Sequence, residues 1–123
     1  MGQGNERGAL EVYAGVANTA PERIEPWVKM ASVHASAKRY EEALPFYEKA
    51  LLVDKNNFET RVGLAICKEG VGDFLAAEGH YKKAIELRAN YAEVYYNLGH
   101  LYQKQKLYES AAQQYEKAVE LKP

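Results

Sequence analysis

The sequence predicts an all-α protein built as an array of three helical hairpins with one further helix in front. Three observations predict it. Similar residues recur every 34 positions, apolar residues within each segment are spaced three and four apart, and asparagine or glycine punctuates the joints between segments.

Six rows keep the 34-residue interval. Ala43, Ala77 and Ala111 form one, Tyr47, Tyr81 and Tyr115 a second, and Ala50, Ala84 and Ala118 a third. Tyr40, Phe74 and Tyr108, then Met30, Leu64 and Leu98, then Glu25, Glu59 and Glu93 complete the set. Alanines seven apart on one helix face let a second helix come close, and the tyrosine between them fills the space across the pair. A demand for large, flat residues with a polar tip accounts for ten tyrosines against three phenylalanines and one tryptophan.

The elements follow in order. Asn5 to Ala17 reads as a helix whose Ala9, Tyr13 and Val16 echo the Ala, Tyr and Ala rows, so it stands as the second half of a preceding repeat or as a cap. Pro26 suits the first turn of a helix over 24–37, followed by a partner over 41–53. Asn56-Asn57 marks the turn to a helix over 58–70, and Gly70 and Gly72 break the hairpin before 74–87. Asn90 marks the turn to helices over 92–105 and 108–121. Glu25, Glu59 and Glu93 fall at helix starts, where a carboxylate opposes the macrodipole. The expected divisions are an N-terminal helix over 1–23 and repeats over 24–57, 58–91 and 92–123. Gly63 and Gly79 each cost on the order of 1 kcal/mol of helix propensity, which makes the middle repeat the softest.

The pattern resembles the tetratricopeptide repeat, whose signature runs Trp, Leu, Gly, Tyr, Ala, Phe, Ala, Pro. The third repeat carries it as Tyr95, Leu98, Gly99, Tyr102, Ala111, Tyr115, Ala118 and Pro123. The first offers Trp27, Met30, Ala31, His34, Ala43, Tyr47 and Ala50, with Lys55 where proline would stand. The second departs furthest, with Arg61 and Lys68 at the Trp and Tyr positions, yet it keeps Leu64, Ala65, Ala77, Tyr81 and Ala84. The resemblance covers residues 24–123 and implies a right-handed α-solenoid with a concave groove lined by the first helix of each repeat.

Composition excludes several function classes. A net charge of −1 offers no general attraction for nucleic acid or an anionic membrane. The single cysteine, Cys67, forms no internal disulfide, and no apolar run reaches membrane-spanning length. The N-terminal residues lack the apolar core of a signal peptide, which points to the cytoplasm. No catalytic constellation emerges. His34, His80 and His100 occupy different repeat positions, and Cys67 has no positioned base and reads as a buried small hydrophobe. Gly63, Gly70, Gly72 and Gly79 form no phosphate cradle, and Lys82-Lys83 is too short for a nucleic-acid patch. Neither cofactor nor metal is expected.

What remains is the groove implied by the resemblance. Its positions are Glu25, Val28, Lys29, Ser32 and Ser36 in the first repeat, and Glu59, Val62, Gly63, Ile66 and Gly70 in the second. The third gives Glu93, Tyr96, Asn97, His100, Gln103 and Lys104. The family's carboxylate clamp for acidic chain ends is missing, since Val28, Ser32, Gly63, Glu93 and Asn97 hold its places. Val28, Val62, Ile66 and Tyr96 are expected to form an apolar strip edged by Glu25, Glu59 and Glu93, with Gly63 admitting a partner's backbone. The functional expectation is a non-catalytic scaffold or adaptor holding an apolar or amphipathic, basic-flanked protein segment. The alternatives are a self-assembling module, through this strip or through bare ends at Ala112, Tyr115 and Val119, and a fragment that recruits partners to an enzyme in a larger chain.

Overall fold

The computed structural model describes residues 3–122. It contains α1 (Gln3–Thr19), α2 (Ile24–Ser36), α3 (Tyr40–Val53), α4 (Phe58–Gly70), α5 (Phe74–Leu87), α6 (Ala92–Lys104) and α7 (Tyr108–Leu121), and no strand among the described residues. The repeat helices begin and end within one residue of the sequence expectation, and α1 extends two residues further at each end. Pro123, which closes the third repeat's signature, lies outside the described residues.

Helices α2 and α3, α4 and α5, and α6 and α7 form antiparallel hairpins that stack in chain order into an all-α solenoid. Each hairpin turns through one left-handed residue, and these residues keep the 34-residue period: Lys38 at φ 62°, Gly72 at φ 87° and Lys106 at φ 64°. The amide after each reaches back in the same way. Arg39 donates to the His34 carbonyl at 2.9 Å, Asp73 to Lys68 at 2.8 Å and Leu107 to Tyr102 at 2.9 Å. Only Gly72 has the residue type that this backbone favours.

The core follows the rows. Ala43, Ala50, Ala77 and Ala84 have no exposed surface, and Tyr47 and Tyr81 are buried between them. One buried cluster joins α2, α3 and α4 through Val28, Tyr47 and Leu64, and a second joins α4 to α7 through Ala65, Tyr81, Leu98 and Ala111. Polar fasteners are unevenly placed. The Tyr102 hydroxyl donates to Glu78 of α5 at 2.6 Å, and Arg88 stacks over Phe58 at 4.7 Å. Helix α1 is held by the Glu6–Arg39 ion pair at 2.8 Å, while the Trp27 indole donates to the Pro21 carbonyl at 2.9 Å across the turn into α2.

Candidate functional site

The first helices of the hairpins, α2, α4 and α6, lie side by side: α2 touches α4, and Glu69 of α4 reaches α6. Along this face the first-turn carboxylates Glu25, Glu59 and Glu93 are exposed at 34-residue intervals, and Ser32 and His100 are exposed too. Glu25 pairs with Arg23 at 3.4 Å, whereas Glu59 and Glu93 make no ion pair with any described residue. Asn97 is half-buried.

The expected apolar strip is not a continuous surface. Val28 is only 8% exposed and belongs to the core, because α3 and α4 close over it. Val62 and Ile66 are half-buried against the second core cluster, and Tyr96 alone stands well out at 58% exposed. Gly63 also changes meaning. It is buried, and a Cβ there would run into the Tyr47 ring, so its missing side chain makes room for this chain's own tyrosine and not for a partner's backbone.

The structure adds Glu69, to which the sequence pattern assigns no role. Its side chain is 10% exposed, and its carboxylate accepts from the Tyr81 hydroxyl at 3.0 Å and lies 3.0 Å from Lys104 Nζ and 3.3 Å from His100 Nδ1. Burial, then the neighbouring Glu69 charge, push the Tyr81 phenol well above its ordinary value. One period on, Gln103 plays the same part for Tyr115, accepting from its hydroxyl at 2.7 Å. The Tyr115 and Tyr96 rings lie 5.4 Å apart and wall a groove of about 570 Å³ with Glu93, Ala118 and Val119.

Burial raises the Cys67 thiol to about 11, which holds it protonated at neutral pH. His34 accepts from Arg39 Nε at 3.1 Å and stacks on Phe46, and His80 lies 3.2 Å from Arg61. Among the described residues no three His, Cys, Asp or Glu side chains gather as a metal site would require, and no helix is long and apolar enough to cross a membrane.

The fold recurs in known proteins. Protein CTR9 homolog of Arabidopsis thaliana is 26% identical over 100 residues, 80% of this chain but only 9% of that protein's length. A crystal structure of MamA superposes with a TM-score of 0.91 at 26% identity, covering 98% of this chain and 71% of MamA. MamA 41-end from Desulfovibrio magneticus RS-1 superposes at 0.88 with 20% identity, 96% of this chain and 67% of that one, a likeness of fold alone. Tetratricopeptide repeats match at residues 22–89 and again at 58–123, and the protein belongs to the tetratricopeptide repeat family.

Proposed function

We propose that the protein is a non-catalytic scaffold that holds a segment of a partner protein across the face of α2, α4 and α6. The observation that carries this reading is Tyr96. It is a large aromatic, 58% exposed, backed by Tyr115 and set beside exposed Glu93 on the face that the stacked first helices share. The family and the MamA-like fold support a protein-interaction role in general. Exposed aromatics with a polar rim are the usual anchors of such surfaces.

The binding set is Glu25, Ser32, Glu59, Val62, Ile66, Glu93, Tyr96, Asn97 and His100; Val28 and Gly63 leave it because both are interior. A fitting segment places an apolar side chain on Tyr96 and the half-buried Val62 and Ile66, and a basic flank along the glutamate row. The test is fluorescence anisotropy with labelled amphipathic peptides, with and without a Lys/Arg flank. Tyr96→Ala should weaken binding by about tenfold or more. Glu59→Gln with Glu93→Gln should flatten its salt dependence. Affinity indifferent to Tyr96→Ala would remove the reading. The alternative role, assembly with copies of itself, draws its support from the exposed faces of α1 and α7.

A further inference from the structure

Inside the array, α4 settles on α3 through two glycine seats. Gly70 receives the Tyr40 ring and Gly63 the Tyr47 ring, and a Cβ at either glycine would run into the ring it faces. The earlier tyrosine meets the later glycine, so the helices run antiparallel, and on each helix the two positions are seven residues apart. Between the seats, Leu64 and Cys67 of α4 are buried in the shared core.

The last helix repeats the tyrosine half of this joint. Tyr108 and Tyr115 of α7 stand two 34-residue periods after Tyr40 and Tyr47. Where Tyr47 is buried under α4, Tyr108 is 63% exposed and Val119, on the same helix, 62%. The first helix carries the glycine half. Gly8 and Gly15 of α1 are seven apart, both exposed, with open space where each Cβ would be. Val12 between them holds the register that Cys67 holds between Gly63 and Gly70, and it is 66% exposed. These three residues lie on the opposite side of α1 from Leu10, Ala14 and Ala17, which face α2. Two glycines in mid-helix carry a cost in propensity, and nothing that α1 touches among the described residues requires them.

We propose that α1 of a second copy docks on α7 of the first, Gly15 receiving Tyr108 and Gly8 receiving Tyr115, as Gly70 and Gly63 receive Tyr40 and Tyr47 within the chain. The occupant is a second copy because this chain itself presents both the tyrosine pair, Tyr108 exposed and Tyr115 half-buried, and the exposed glycine seats, with a working example of their joint between them. Two different faces meet, so the contact is head-to-tail and each copy keeps one face open for the next. It leaves Glu59 free, but Tyr115 and Val119 wall the same groove as Tyr96, so a docked copy and a partner segment anchored on Tyr96 compete for that end of the face.

The experiment is light scattering across a wide concentration range on the full chain. Gly8→Leu with Gly15→Leu fills the seats while favouring the helix, so its melting temperature should hold or rise as association weakens about tenfold or more. Tyr108→Glu with Val119→Glu, two exposed sites, should weaken association from the other side. The wild type is expected to gain mass with concentration, each double variant to stay near monomer mass, and an equal mixture of the two to regain a dimer and nothing larger. That regained dimer is the decisive sign, since each variant retains one intact face. A wild type that stays monomeric into the millimolar range overturns the proposal. So does assembly untouched by either double variant, loss caused by the α7 variant alone, or a mixture that remains monomeric.

Discussion

Asn57 and Thr60 satisfy one another at the start of α4. The Asn57 side-chain oxygen accepts from the Thr60 amide at 2.9 Å and from the Thr60 hydroxyl at 2.8 Å, and Thr60 has no exposed surface. A helix cap and a buried hydroxyl therefore depend on one side chain. Asn57→Ala should cost about 2 kcal/mol in denaturant unfolding, part from the lost cap and part from the orphaned hydroxyl. Thr60→Val in the same background should restore some of it. If the single variant proves neutral, the shared role is wrong.

The two mid-helix glycines of the central hairpin should respond in opposite directions. Gly79 has open space at its Cβ position, so Gly79→Ala should stabilise by about 1 kcal/mol. Gly63 faces the Tyr47 ring, so Gly63→Ala should destabilise by roughly 1–3 kcal/mol despite alanine's better propensity. Thermal melts of the two variants side by side decide the matter, and a stabilised Gly63→Ala would show that the ring moves aside freely.

The left-handed turns carry their own signature. Lys38 and Lys106 hold the conformation that Gly72 holds without strain. Replacing either lysine by glycine should raise stability by about 1 kcal/mol, while Gly72→Ala should lower it by a similar amount. Unfolding curves that order these variants the other way would contradict the shared geometry of the turns.

Stability should fall as the solution is acidified. Burial, and then Arg39, lower the pKa of His34 from its ordinary 6.5; burial, and then Arg61, do the same for His80. Glu42 and Glu6 pull His34 back in the other direction without reversing the shift. The unfolded chain thus takes up protons first, and stability present above pH 6.5 is lost as pH drops through the two depressed values. A second loss follows below 4.5, where Glu78, held down chiefly by the Tyr102 hydroxyl, is protonated. Chemical unfolding between pH 7 and pH 5 should show a slope that His34→Gln with His80→Gln reduces. An unchanged slope would place the cause elsewhere.

Periodicity made the helices legible, because the rows, the asparagine turns and the helix-start glutamates agree on the same limits. Exposure was less legible, since it depends on whether a later helix packs over each position. Val28, Val62 and Tyr96 share one repeat position, yet Val28 is closed over by α3 and α4 while no hairpin among the described residues stacks on α6 and α7 to cover Tyr96 in that way. Glu69 escaped because its equivalents, Ala35 and Gln103, carry no charge, and its importance arises from His100 and Lys104 on another helix. A signal was there to be found: a histidine and a lysine four apart on a helix, roughly one period beyond a carboxylate. Gly63 looked like an opening because sequence alone does not show which ring will occupy the gap.

The Tyr40–Gly70 and Tyr47–Gly63 seats also make repeat order a property of the chain. Asn97 and Lys104 stand where a copy of Gly63 and Gly70 would fall one period later, so α6 is seated on α5 by other means. A chain with its hairpins permuted would keep every helix and lose the seams between them. Duplication of a segment in such a gene would carry over a working seam only when the copied stretch runs from α3 through α4, so that ring and seat are inherited together.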